Sequence, residues 1–115
     1  MDLATHTFAF YGSLRIGMYN YLRYRNALHY EYSQWLPGYE LFSLGDYPAA
    51  CPANPNQSII VEFFSINDIE TRSSIHDLEI EAGYFYKEIN HRHRKVGIYL
   101  MNKKANSRII ESGIG

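Results

Sequence analysis

The stretch Thr5-His6-Thr7-Phe8-Ala9-Phe10-Tyr11-Gly12-Ser13-Leu14-Arg15 decides how the rest of the chain is read. Its first half is β-prone and closes on aromatic residues, which predicts an opening strand over Thr5 to Phe10. Gly12 and Ser13 then turn the chain, with Gly17 soon after. A backbone turning just past a strand end exposes consecutive N–H groups, and such a nest holds a carboxylate or an oxyanion. Glycine at that point lets a ligand approach the backbone closely. An ordinary strand-to-loop corner has the same residues, so this stretch alone leaves both readings open. No Gly-Lys-Ser/Thr follows, which excludes a Walker-type phosphate loop.

Working outward, Asn20 is placed to cap a short helix over Tyr21 to His29, with Tyr24, Ala27 and Leu28 as its buried stripe. Trp35-Leu36-Pro37-Gly38 reads as a Pro-Gly turn. Tyr39 to Leu44 alternates as a strand. Gly45 to Gln57, with Pro48, Pro52 and Pro55, reads as loop. Ser58 to Ile66 is a β-branched and aromatic run, a central strand with Glu62 as its one intrusive charge. Asn67-Asp68 signals a helix cap before Ile69 to Leu78, although Ile69, Ser73, His76 and Leu78 show weak periodicity. Tyr84 to Asn90 and Val96 to Met101 form a hairpin around the polar run His91 to Lys95. Ile109-Ile110, within the tail Lys103 to Gly115, predicts a last short strand. Strands outnumber helices, which gives an α+β fold with short helices, built on a largely antiparallel or mixed sheet that can curl into a β-barrel.

The 115 residues suit one domain, 1–115. Hydrophobic residues make up 46% and charged residues 20%, which excludes long-range disorder. No apolar run approaches the ~20 residues of a membrane helix. The first ten residues lack a secretory pattern. Cys51 is the single cysteine, so no internal disulfide framework exists and a cytoplasmic setting is expected. A net charge of −1 argues against a nucleic-acid footprint. Eleven tyrosines and six phenylalanines fit a small β-rich domain with a semi-polar cavity.

Four groups merit a chemical reading. Glu79, flanked by Leu78 and Ile80 at the end of the second helix, is placed to sit half-buried with a raised pKa, as a general base requires; a solvated glutamate near a helix end is the plainer alternative. His91 and His93 would share a strand face, yet a third metal ligand is missing, so His91 to Lys95 is expected to be an exposed hairpin tip without metal. Cys51 has no nucleophile signature around it. Ser13 lacks a Gly-x-Ser-x-Gly context.

Phe10-Tyr11-Gly12-Ser13-Leu14-Arg15, with Gly17 and Asn20, resembles the opening of the gamma-glutamylcyclotransferase-like family, in particular its short bacterial members that begin Tyr-Gly-Ser/Thr-Leu-Arg. Gly38, Tyr39 and Leu41 before Tyr47-Pro48-Ala49, the strand Val61-Glu62-Phe63-Phe64, Glu79 with Tyr86 seven residues on, and Ile110-Glu111-Ser112-Gly113 extend the likeness in order along nearly the whole chain. The resemblance implies a small mixed barrel with a cavity at its mouth. It implies conversion of a γ-glutamyl-amino acid or γ-glutamyl-amine to 5-oxoproline and the free amine, without metal or organic cofactor. It assigns Tyr11, Gly12, Ser13 and Leu14 to hold the glutamyl group, Glu79 to act as acid/base and Tyr86 to line the cavity.

The chain departs from the family pattern at Ile75-His76, where Leu-Asp is usual, at Val61 and Ile80, where glycine is common, and at Lys87-Glu88 after Tyr86. Glu81 is a fallback carboxylate with a poorer spacing to Tyr86. The expected partner is a small γ-glutamyl molecule, with no nucleic acid or membrane partner and no prediction of oligomeric state. A non-catalytic binding module for a carboxylate or amino-acid-like ligand is the alternative to an enzyme, and a Tyr-rich interaction protein is the third class.

Overall fold

The structure is a computed structural model and describes residues 5–103 and 107–115. Among them lie eight strands and two helices, in the order β1 (Thr7–Phe10), α1 (Tyr19–Tyr24), β2 (His29–Pro37), β3 (Tyr39–Ser43), β4 (Pro48–Pro52), β5 (Ser58–Ser65), α2 (Ile69–Glu81), β6 (Phe85–His91), β7 (Arg94–Leu100) and β8 (Arg108–Ile110). This is the expected α+β class. The ladders form a five-stranded sheet, β2-β5-β1-β7-β6, and a three-stranded one, β4-β3-β8. They do not close into one barrel. Single backbone bonds join the sheets instead: Met101 N–H donates to Ala50 O at 2.9 Å, and Ile60 N–H to Gly113 O at 2.9 Å.

β1 is central. It runs antiparallel to β5, with Phe10 opposite Glu62, and parallel to β7, with Phe8 opposite Gly97. All four of its residues are buried. A strand covered on both faces reads as a continuous apolar run, which is why Thr7-Phe8-Ala9-Phe10 lacks alternation. Gly97 matters here: a Cβ would lie 2.7 Å from the Tyr86 ring and 2.9 Å from that of Phe8.

Two stretches differ from the sequence reading. The first helix ends at Tyr24 rather than His29, and its cap is Met18, not Asn20. His29 instead opens β2, an edge strand in which Leu36 is the one buried residue. A strand with so few buried positions gives almost no period-2 signal. Pro48–Pro52, read as loop, is an edge strand paired with β3. The prolines stand at its two ends, where a missing N–H is tolerated. The Pro-Gly turn is present: Gly38, at φ +89°, carries the chain from β2 into β3.

α2 begins at Asp68, as read. The Asp68 carboxylate accepts from Thr71 N–H at 3.2 Å and from Thr71 Oγ1 at 2.6 Å. The helix runs three residues past Leu78. Gly83, at φ +100°, ends it: Gly83 N–H donates to Ile80 O at 3.0 Å and Tyr84 N–H to Glu79 O at 3.0 Å, the paired bonds of a Schellman motif. Glu79 therefore lies in the last helical turn rather than at a helix-to-strand corner.

Candidate active site

The chain leaving β1 folds back on itself. Arg15 N–H donates to Gly12 O at 3.0 Å, and Asn20 N–H and Tyr21 N–H both donate to Ser13 O, at 2.9 and 3.0 Å. The Asn20 side chain donates to Ser13 Oγ at 2.7 Å. Glu62, the intrusive charge of β5, accepts from Ile16 N–H at 2.6 Å and so latches the far end of the loop. The carbonyls of Gly12 and Ser13 are thus occupied within the loop. Among the described residues, their N–H groups have no acceptor.

Gly12 and Ser13 border a cavity of about 400 Å³, within the range of small-molecule sites. Glu79 and Leu78 of α2 form another part of its wall, with Tyr84 and Tyr99. The charged side chains that line it are Glu79 and Asp46. Among its lining residues there is no lysine or arginine.

Position 79 follows from helical spacing. Arg72, Ile75 and His76 are the buried residues of α2, and Glu79 continues that stripe one turn on. Burial pushes the Glu79 carboxyl up to about 7. Ile80, expected to shield it, is instead 44% exposed and points away. Leu78 and the tyrosines do the shielding.

Each tyrosine is held. Tyr11 Oη donates to Tyr99 O at 2.6 Å and accepts from Ala50 N–H at 3.1 Å, a strut between the two sheets. Tyr84 Oη donates to Pro48 O at 2.6 Å. Tyr99 Oη lies 2.9 Å from His76 Nδ1. Burial, and then the Glu79 charge, push the Tyr84 and Tyr99 phenols well above the usual range. They remain protonated, so the ionisable group at the cavity with a pKa near neutrality is Glu79.

Of the residues singled out from sequence, Tyr11, Gly12, Ser13, Leu14 and Glu79 meet at this cavity. Tyr86 does not line it. Its ring packs 5.3 Å from that of Tyr99, one layer behind the wall, and its hydroxyl donates to Glu88 at 2.9 Å. Tyr84 and Tyr99 occupy the wall instead, along with Asn20, Tyr19 and Tyr47. The fallback Glu81 is exposed and lies outside the cavity. Asn20 was read as a cap, whereas its side chain fixes Ser13.

The basic hairpin turns more tightly than expected, on Arg92 and His93 alone, both with positive φ. His91 is not an exposed tip residue: it stacks on Phe63 at 4.7 Å. Arg94 pairs with Glu31 at 2.5 Å, and Arg92 lies over the Tyr32 ring at 4.7 Å. Because His93 sits in the turn, strand alternation does not align it with His91. Among the described residues no group of three His, Cys, Asp or Glu side chains is arranged for a metal. Cys51 is buried in β4 with its thiol 3.9 Å from Glu40, and burial pushes that thiol up.

The fold is mixed α+β, and Glu79 and the Gly12–Ser13 loop line one cavity. Residues 8–114 match the family described as gamma-glutamyl cyclotransferase, AIG2-like, and the chain belongs to that family. Among solved structures it is similar to an uncharacterized protein from Pyrococcus horikoshii, with 26% identity, a TM-score of 0.80, and coverage of 96% of this chain and 89% of that one. It is also similar to protein ytfP from Escherichia coli, with 26% identity, a TM-score of 0.75 and 94% of each chain covered. The fold recurs in an allophanate hydrolase of Kluyveromyces lactis, where 96% of this chain matches 20% of that one at 12% identity and a TM-score of 0.73. No curated protein matches the chain. Among the described residues no helix is long and apolar enough to cross a membrane.

Proposed function

We propose that the protein cyclises a small γ-glutamyl-amino acid or γ-glutamyl-amine, releasing 5-oxoproline and the free amine. The substrate's own α-amine is the nucleophile. Its nitrogen bonds to the γ-carbonyl carbon, and the bond from that carbon to the leaving nitrogen breaks. The α-ammonium loses two protons on becoming the lactam N–H, and the leaving nitrogen gains two on becoming an ammonium. Glu79 ferries them. The N–H groups of Gly12 and Ser13 receive the oxyanion or a glutamyl oxygen, and the cavity walls hold the chain bent for attack.

The observation that carries this reading is the single near-neutral carboxyl, Glu79, on the same cavity as two unpaired N–H groups. A general base works best with a pKa near the operating pH. A site that only binds an amino-acid-like ligand has no use for a carboxyl poised in this way. The chemistry asks nothing of Cys51 or of the hairpin histidines. A cytoplasmic setting is proposed with it, on the strength of one reduced cysteine.

A panel of γ-glutamyl dipeptides and γ-glutamyl amines, assayed for 5-oxoproline, tests the proposal. Turnover of at least one compound is expected. Glu79→Gln is expected to keep the fold and ligand binding and to lose about 10²- to 10⁴-fold in turnover. Glu81→Gln is expected to cost far less. A ligand bound without turnover across the panel would leave a binding module.

A further inference from the structure

His76 is a buried imidazole behind the cavity wall that the proposed reaction does not use. It sits one turn before Glu79 on the inner stripe of α2, 8% exposed, with Nδ1 2.9 Å from the Tyr99 hydroxyl. Tyr99 is 3% exposed and lines the cavity. Among the described residues, His76 Nδ1 is the hydrogen-bond partner of that hydroxyl.

A phenol has one proton and two acceptor lone pairs. If the Tyr99 hydroxyl donates its proton to an unprotonated His76 Nδ1, the lone pairs of Tyr99 remain for the cavity. If His76 donates from Nδ1, the Tyr99 proton must turn elsewhere, and the cavity is the open direction. The imidazole thus decides whether the wall next to Glu79 offers an acceptor or a donor. The reaction begins with an ammonium beside Glu79, which is served by an acceptor. A donor there would oppose the ammonium and would hydrogen-bond the Glu79 carboxylate, making it a weaker base.

We propose that His76 is a positioning residue: its Nδ1 accepts the Tyr99 proton and turns the phenol oxygen to the cavity as an acceptor for the substrate's α-ammonium. The consequence for rate rests on Glu79 being the acid/base, whereas the polarity of the pair does not. The groups around His76 are few. On α2 they are Arg72, which donates to Ile66 O and Asn67 O at 2.9 and 2.8 Å, with Asp77 and Glu79. From β7 comes Tyr99. From β6 comes the Tyr86 ring at 5.8 Å, with Glu88 bonded behind it. Among the described residues, the partner of the Tyr99 hydroxyl is His76, so its polarity follows the imidazole.

Three variants separate this role from a merely structural one. His76→Asn keeps an acceptor close to the Nδ1 position and cannot titrate. His76→Leu removes the acceptor. Glu79→Gln removes the base. At high pH, His76→Asn is expected to keep kcat, and His76→Leu to lose about three- to tenfold in kcat with KM little changed, the worth of one neutral hydrogen bond. Equal kcat in the Asn and Leu variants would overturn the role.

The ¹⁵N shifts of the His76 ring read the polarity without any turnover. At neutral pH, an unprotonated Nδ1 with an Nε2–H is expected, and the Tyr99 Cζ shift is expected to differ in His76→Leu. A proton resident on Nδ1 at neutral pH would refute the proposal even if the enzyme is active. The expected shifts in a protein silent on every γ-glutamyl compound would uphold the polarity and refute only the reading of Glu79.

Discussion

Two regions of this molecule pair a histidine with tyrosines, and they do opposite things. Beside the cavity, His76 is bonded to Tyr99, Tyr99 and Glu79 share the wall, and the phenols of Tyr11, Tyr84 and Tyr99 each have a partner. At the β6–β7 hairpin, His91 is stacked between ring systems, and its Nε2 and the Tyr32 hydroxyl are buried without a hydrogen bond. The neighbouring charges also differ. Around Glu79, burial raises a carboxyl into the neutral range. Around His91, burial, Arg92 and Arg94 push the imidazole below its ordinary value. The hairpin spends its polar groups on packing, and none of its residues lines the cavity. A histidine and a tyrosine in proximity are thus no sign of chemistry; an open space and a poised proton carrier beside them are.

Mutations break this comparison in order of expected size. Glu79→Gln has the largest effect, the 10²- to 10⁴-fold loss of 5-oxoproline release, while His91→Ala leaves turnover within about twofold because it touches no reacting group. Gly97→Ala comes next. The added Cβ would drive into Tyr86 and Phe8, and overpacking of this kind costs about 1–3 kcal/mol in urea unfolding. Asp68→Ala removes the α2 cap and is expected to cost about 1 kcal/mol, with the helix that carries Glu79 loosened at its far end only. The smallest is Arg94→Met. Its ion pair with Glu31 lies at the surface, so the change in stability is expected below about 1 kcal/mol, and turnover is unchanged.

pH sharpens the same contrast. The raised Glu79 pKa means that the folded state binds more protons than the unfolded chain between about 4.5 and about 7. Its contribution to stability is fully present below that window and is lost as pH rises through it. Catalysis runs the other way, since the base is competent only when deprotonated. Stability should fall and kcat/KM should rise across the same interval, and Glu79→Gln should flatten the stability term. A chemical-denaturation series over pH, run beside the rate profile, checks both.

The opening strand and its Gly12-Ser13 corner were legible because one run carries the whole signal: apolar residues, a strand end, then glycine. The start of α2 was legible from Asp68 for the same local reason. The inner face of α2 was not, because Arg72, His76 and Glu79 make it polar and leave no hydrophobic stripe to count. β2 was hidden by exposure, as an edge strand with Leu36 alone buried, and β4 by its bracketing prolines. At the site, spacing favoured Tyr86, yet the register that sets Tyr86 opposite Tyr99 puts the latter on the cavity wall. Which of two neighbouring tyrosines reaches the cavity depends on the curvature of the sheet and the packing of α2, and no local motif encodes either.

The central claim is that burial makes Glu79 a base poised near neutrality. Selective ¹³C labelling of glutamate side chains, with the Glu79 carboxyl assigned by its disappearance in Glu79→Gln, measures this in the folded protein without any substrate. The account predicts a titration midpoint near 7 for that one carboxyl. A midpoint in the ordinary glutamate range, near 4.3, would contradict it.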